Sequence, residues 1–333
     1  MRDSVSLIGS GSATPYQRLT NDQLGQRVET SDSWIKNRTG ICERRISSCN
    51  DTLGELCQRA SLSAIEMAGW DPNTIDLIIL ATSSPDDLFG SAPLVQSRIR
   101  ASNAVAFDLT AACSGFLFAL VTASQFLRNG SMKRALVIGA DQLSRWVDWN
   151  DRGSCILFGD AAGAVALEAS DSINDGLIGF KLKTDGTRGH SLNLAQNNDF
   201  TALIDGINHQ KGGFSPISMN GQEVYKFAVK EVPAILDDLL VENEISPKDL
   251  DWLLLHQANQ RILDSVAERF SIPREKVLSN LANYGNTSAA TIPLMLDEAV
   301  RDGRIQPGNL IASSGFGAGL SWGAALLGWK GKN

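Results

Sequence analysis

The tightest constraint on the fold is a repeat of strand-and-turn signals at a fixed offset. Trp70-Asp71-Pro72-Asn73-Thr74-Ile75-Asp76 leads into the apolar run Leu77-Ile78-Ile79-Leu80-Ala81. Ile245-Ser246-Pro247-Lys248-Asp249-Leu250-Asp251 leads into Trp252-Leu253-Leu254-Leu255. Pro72 and Pro247 stand 175 residues apart, as do Asp76 and Asp251. The apolar run Ala135-Leu136-Val137-Ile138-Gly139 matches Leu310-Ile311-Ala312-Ser313-Ser314 at the same offset, and each follows an Arg-x-Gly, Arg128 to Gly130 and Arg301 to Gly303. Continuous apolar runs of this length fit strands buried on both faces, which need helices above and below them. The chain therefore reads as a duplicated α/β protein, with halves 1–170 and 171–333.

Local signals fill in the first half. Val5 to Ile8 is a short strand. Thr52 and Glu55 form a capping-box pattern before a helix whose face carries Leu53, Leu56, Cys57, Ala60, Ala64 and Met67. Gly69 supplies its C-cap. Ala104 to Leu109 is a strand, Ala112 to Arg128 a buried helix, and Ala135 to Gly139 and Ala161 to Leu167 further buried strands. Thr184 to Ser215, rich in Gly, Asn, Asp and His, reads as loops over the body.

Charge and cysteine usage narrow the function. The formal net charge of −7 argues against a nucleic-acid partner. No apolar run reaches the length of a membrane span; Gly115 to Leu127 is interrupted by Thr122, Ser124 and Gln125. Val5 to Ile8 is too short for a secretory core. Five scattered cysteines with no CxxC pair fit reduced thiols in a cytoplasmic protein and no structural metal.

Three residues sit where α/β folds place chemistry. Cys113 lies in Ala111-Ala112-Cys113-Ser114-Gly115, just past a strand and at a helix start. Partial positive charge at a helix N-terminus favours a thiolate, although a small buried core cysteine reads equally well. His256 follows the strand Trp252 to Leu255 at its carboxyl end, whereas His190 and His209 fall in the loop segment. Asn286, in Gly285-Asn286-Thr287-Ser288-Ala289-Ala290, is a donor for a developing oxyanion or simply a turn residue. Gly315-Phe316-Gly317-Ala318-Gly319 reads as a glycine turn after Leu310 to Ala312. It lacks phosphate-loop spacing and fits tight packing near a reactive centre. Cys155, between Gly153 and Gly163, is assigned no chemistry.

In order and spacing these segments resemble the condensing enzymes of the thiolase superfamily, and within them the β-ketoacyl-acyl-carrier-protein synthase III family. Thr30-Ser31-Asp32-Ser33-Trp34-Ile35-Lys36-Asn37-Arg38-Thr39-Gly40 and His256-Gln257-Ala258-Asn259 add to the likeness. The resemblance implies the duplicated thiolase fold with α-β-α-β-α layers, usually as a homodimer. It implies a Cys113–His256–Asn286 triad. Asn286 stands where elongating relatives carry a second histidine, which points to the initiating branch.

By the same resemblance, Trp34, Arg38, Arg152 and Asn259 contact coenzyme A. Gln257, Arg261 and Lys226 contact an acyl carrier protein. The backbone N–H groups of Cys113 and Ala318 form an oxyanion hole. Glu268-Arg269 departs from the family's basic pair. The implied reaction joins acetyl-CoA and malonyl-carrier protein through an acyl-Cys, with acetyl-CoA as substrate and no metal or other cofactor. An acyl transferase of secondary metabolism, a thioesterase and a non-catalytic acyl-binding protein are the alternatives.

Overall fold

The computed structural model describes residues 4–171 and 176–331. The boundary expected between the halves, 170/171, falls just before residues 172–175, which lie outside the described residues. In the first half the elements are β1 (Ser4–Ala13), α1 (Asp32–Thr39), α2 (Leu53–Ala68), β2 (Leu77–Ala81), α3 (Ala92–Arg98), β3 (Val105–Leu109), α4 (Gly115–Arg128), β4 (Arg134–Gln142) and β5 (Asp160–Ser170). The second half has β6 (Gly176–Thr184), α5 (Gly221–Glu242), β7 (Trp252–Leu255), α6 (Gln260–Arg269), β8 (Val277–Leu278), α7 (Thr291–Arg301), β9 (Leu310–Gly317) and β10 (Ser321–Gly328).

The strands hydrogen-bond in the order β8-β7-β9-β10-β6-β1-β5-β4-β2-β3. Each half has the same internal order, its third, second, fourth, fifth and first strand. The pairing senses also match: β2 lies parallel to β3 and β4 as β7 does to β8 and β9, and the remaining neighbours within each half are antiparallel. The halves meet where Val5 of β1 pairs with Gly176 of β6.

The sequence repeat has a structural counterpart. The Asp76 N–H donates to the Arg134 carbonyl, and the Arg134 N–H donates back to the Asp76 carboxylate at 3.0 Å. The Asp251 N–H and the Leu310 N–H make the same exchange, the second at 2.8 Å. These aspartates fasten the mouth of each parallel pair. The partner of Leu310 in this comparison is Arg134, so the fourth strands match one residue out of the register read from their apolar runs.

Helices cover the sheet in layers. α4 and α7 lie inside, between the halves: α4 packs on β2, β4 and β5 and also on β6, β9 and β10, and α7 packs on β1, β4 and β5 and on β7. α2 and α3 cover the outer face of the first half, and α5 covers that of the second with α6 against it. The layering is α-β-α-β-α. A central helix must be apolar on nearly all sides. In α4 even Thr122 and Ser124 turn their hydroxyls back to the carbonyls of Phe118 and Leu120, so they expose no unmet polar group. Among the described residues no helix is long and apolar enough to cross a membrane.

α2 begins at Thr52, whose hydroxyl accepts from the Glu55 N–H at 3.1 Å, and ends at Gly69 in the left-handed region. Two expectations need correction. Strand β9 runs through Gly315 to Gly317, paired with Ser321–Gly328 along its whole length, so Gly315 and Gly317 are strand and only Ala318–Leu320 makes the turn. The segment after β6 is not all loop. Phe200–Ile204 and Ile207–Gln210 form an exposed hairpin, and Leu192–Asn193 pairs with Ser218–Met219.

Candidate active site

Cys113, His256 and Asn286 line one cavity of about 550 Å³, together with Trp34, Asn259 and Phe316. Each reaches it from a different chain crossing. Cys113 lies in a single 3-10 turn, Ala112–Ser114, directly before α4. Ala112 has φ of +47°, a left-handed conformation that costs a non-glycine residue energy. This bend turns the chain from β3 into the central helix with the cysteine at the corner. Gly317 of β9 approaches so closely that a Cβ there would lie 2.6 Å from the Cys113 nitrogen. Only glycine fits, and the chain reaches Ala318 immediately after.

His256 continues β7, its N–H donating to the Ser314 carbonyl at 2.8 Å. Its Nδ1 lies 2.7 Å from Thr291 Oγ1, and its ring meets Phe316 edge-on. Burial pulls its pKa down to about 3, so the imidazole is neutral at physiological pH.

Asn286 is held on both sides: its N–H donates to the Leu157 carbonyl, and its own carbonyl accepts from Gly159. Gly285 before it has φ of +65°, and a Cβ there would lie 2.5 Å from the Leu157 oxygen. The Asn286 Oδ1 accepts the Ser288 N–H at 2.8 Å. That bond leaves the side-chain NH2 as the group available to a ligand.

Electrostatics around Cys113 oppose the expectation of a ready thiolate. Burial, with a smaller push from the buried Asp141 carboxylate, raises the thiol to about 12. Against this, the Ser288 hydroxyl lies 3.3 Å from Sγ, and the helix start contributes its partial positive charge. Cys113 therefore rests as the neutral thiol.

At the mouth, α1 places Trp34 and Arg38 on one face. The Arg38 and Arg152 guanidinium groups lie over the Trp34 ring at 4.8 and 4.9 Å. Asn259 caps α6, accepting from the Arg261 N–H, and donates to the Arg38 carbonyl at 3.1 Å. Arg261 and Lys226 are exposed.

Gln257 requires a correction. It is fully buried, its amide donating to the Leu255 and Leu278 carbonyls and accepting from Asn280, so it offers nothing to a protein partner. His190 and His209 lie on the surface, away from the cavity. Sequence reasoning missed Asp141, Ser288 and Thr291. An aspartate inside the buried strand β4 was the available signal for the first.

Two family models match the chain. One, described as 3-oxoacyl-[acyl-carrier-protein (ACP)] synthase III, matches residues 107–186, and its C-terminal counterpart matches 240–329. A β-ketoacyl-[acyl-carrier-protein] synthase III of Prochlorococcus marinus (strain MIT 9313) is 70% identical, over 98% of this chain and 96% of that protein. The protein of that name from Synechococcus sp. (strain RCC307) is 67% identical, over 98% of each.

Among solved structures, 3-oxoacyl-[acyl-carrier-protein] synthase III from Aquifex aeolicus VF5 superposes with a TM-score of 0.89. It is 40% identical, with 98% of this chain and 100% of that chain covered. The priming β-ketosynthase of the R1128 polyketide pathway gives a TM-score of 0.88 at 31% identity, covering 100% and 98%.

Proposed function

The chain belongs to the 3-oxoacyl-[acyl-carrier-protein] synthase III family, and on that premise we propose that it condenses acetyl-CoA with malonyl-acyl-carrier protein, giving acetoacetyl-carrier protein, carbon dioxide and coenzyme A. The observation that carries this reading is the meeting of Cys113, His256 and Asn286 in one cavity, with the Asn286 NH2 left free to donate.

In this reading the halves 1–170 and 171–333 divide the work, the first bringing the nucleophile and the second the two donors. Cys113 attacks the acetyl thioester and becomes acetylated. The backbone N–H groups of Cys113 and Ala318 hold the tetrahedral oxyanion. The malonyl group then loses carbon dioxide, and charge builds on its thioester oxygen. His256 and Asn286 donate to that oxygen. A neutral imidazole donates through Nε2 in the tautomer in which the Thr291 hydroxyl gives its one proton to Nδ1 instead of to the Ser288 carbonyl, 3.0 Å away. The carbanion attacks the acetyl-enzyme and frees Cys113.

Trp34 stacks on the adenine of coenzyme A, while Arg38 and Arg152, whose guanidinium groups lie over the indole, turn from it to meet the phosphates. Asn259 completes the contact. Arg261 and Lys226 receive an acidic carrier protein; among the described residues neither forms an ion pair that would compete. The protein works in the cytoplasm as a homodimer. In support, β3 is an edge strand with Val105 54% exposed, and Asp108 ties to it the loop that holds Leu88 and Phe89 almost fully in solvent.

The test measures the two half-reactions separately, as radiolabelled acetyl incorporation from acetyl-CoA and carbon dioxide release from malonyl-carrier protein. Cys113→Ala abolishes the first and retains the second. His256→Ala and Asn286→Ala still accept acetyl but decarboxylate about 100–1000-fold more slowly, the usual cost of one lost oxyanion donor. A His256→Ala protein that decarboxylates normally but takes up no acetyl overturns the assignment. Release of coenzyme A without any malonyl substrate favours a thioesterase instead.

A further inference from the structure

Asn286 takes its aim from its backbone, and that backbone leans on the segment 156–159. The Asn286 N–H donates to the Leu157 carbonyl at 2.8 Å, and its carbonyl accepts from the Gly159 N–H at 3.0 Å. The two stretches meet in one isolated parallel bridge, Phe158 with Asn286. A shift of 156–159 therefore moves the side-chain NH2 with it.

Arg44 stands behind this segment. It belongs to the short strand Glu43–Arg45 and pairs with Leu19 of Arg18–Thr20. It has no exposed surface and does not line the cavity. Its Nη2 donates to the Ile156 carbonyl at 2.6 Å. Its Nη1 donates to the Leu19 carbonyl at 3.2 Å and to Asn21 Oδ1 at 2.8 Å. Among the described residues no backbone N–H donates to the Ile156 carbonyl. The stem of Arg44 also packs beside the two glycines that flank the bridge. A Cβ on Gly159 would lie 3.2 Å from the Arg44 Cβ, and one on Gly285 3.4 Å from it.

An arginine is an expensive choice here. Burial pulls its pKa down to about 10, which leaves it charged at neutral pH. Among the described residues it forms no ion pair. A well-packed apolar side chain avoids that desolvation penalty. It cannot, however, bridge three acceptors on two segments, which the planar guanidinium fork does. The far side of the bridge is itself anchored. Asn21 is buried and donates to the Asp32 carboxylate at 3.0 Å and to the Ile41 carbonyl at 2.8 Å. Asp32 opens α1, the helix that carries Trp34.

We propose that Arg44 is a positioning residue for decarboxylation: it locks the segment 156–159 against Leu19 and Asn21, and so holds the Asn286 NH2 on the thioester oxygen of the malonyl group. The inference rests on the reading of Asn286 as a donor to that oxygen. Arg44 touches no reacting atom and acts through the Ile156 carbonyl and the Asn286 backbone. Cys113 and Ala318 sit on other segments, so acetylation does not depend on this lock.

The experiment compares the full-length parent with Arg44→Met, Arg44→Lys, Asn286→Ala and the double variant Arg44→Met with Asn286→Ala. It measures carbon dioxide release from malonyl-carrier protein and acetyl incorporation from acetyl-CoA. Arg44→Met should lower kcat for carbon dioxide release by about 10- to 100-fold, the scale of an ångström-sized misplacement. The KM for malonyl-carrier protein and the rate of acetylation should stay near the parent values, because the lost contact is one made in the transition state. Adding Arg44→Met to Asn286→Ala should cause no further loss, since the two act as one unit. Arg44→Lys keeps the charge but not the fork, and should recover part of the kcat.

Equal losses in both half-reactions mark Arg44 as a general structural residue and overturn the proposal. Losses that multiply in the double variant, or an Arg44→Met protein with the parent kcat, also overturn it. Should Arg44→Met fail to fold, Arg44→Lys decides: its decarboxylation must be slower than the parent's while acetylation is spared, and parent-like decarboxylation refutes the lock. If Asn286→Ala itself decarboxylates normally, the reading of Asn286 as a donor fails separately. The NMR signal of the Asn286 side-chain amide, assigned by its loss in Asn286→Ala, then judges the lock. It should move in Arg44→Met or Arg44→Lys, and an unmoved signal refutes the positioning role.

Discussion

The neutral state of His256 makes a quantitative prediction about stability. In the folded protein burial brings its pKa from 6.5 down to about 3. The unfolded chain binds a proton near the ordinary value while the native state refuses it. Stability from this residue is therefore fully present above about pH 6.5 and is lost as pH falls toward 3, at up to about 1.4 kcal/mol per pH unit. Over the whole interval that amounts to about 5 kcal/mol, and between neutrality and about pH 5 to about 2 kcal/mol. The perturbation is His256→Asn, which removes the titrating ring. Chemical denaturation of parent and variant at matched pH values isolates the contribution, since buried and exposed carboxylates affect both alike. The stability difference between the two should fall by about 2 kcal/mol from neutral pH to about pH 5. NMR of the ring protons, assigned with the same variant, should show the His256 signal unmoved across that range. A His256 resonance that titrates near neutrality, or a stability difference independent of pH, would refute the claim that this imidazole is neutral through burial.

Trp34→Ala should weaken coenzyme A binding by about 1–3 kcal/mol by calorimetry, the scale of stacking a base on an aromatic ring. Arg261→Glu should raise the KM for malonyl-carrier protein, with added salt reducing the difference, and leave that for acetyl-CoA unchanged; equal damage to both would mark Arg261 as the bridge to the Asn37 carbonyl and nothing more. Gly285→Ala should lower the melting temperature and carbon dioxide release together, because its Cβ would press on the Leu157 oxygen from a left-handed backbone. Sedimentation should give a dimer that Val105→Lys weakens, since a charge on an open strand edge discourages pairing.

The parts of the fold that follow from short-range chemistry were legible in the sequence. Thr52 and Gly69 mark both ends of α2, and Leu77 to Ala81 could only be a strand covered on both faces. Cys113 and His256 stood out because each follows a strand. The exposed hairpin was readable too. Asp205-Gly206 between Phe200–Ile204 and Ile207–Gln210 is a strong hairpin signal, and a polar composition obscured it. The family likeness put Gln257 on the carrier-protein surface, whereas the residue after His256 turns its amide into the protein. Ser288 could not be found from sequence. Its contact with Cys113 arises from a positive φ and from two segments 175 residues apart meeting beside a buried helix.

The position of α4 and α7 between the two halves of the sheet has a consequence for how the protein comes apart. Each helix is shared, so neither half can lose its structure without stripping one face of the other. Cys113 precedes one shared helix and Asn286 the other. Denaturation should therefore have no stage in which one half remains intact and competent: catalytic activity and the bulk of the secondary structure disappear in a single cooperative transition.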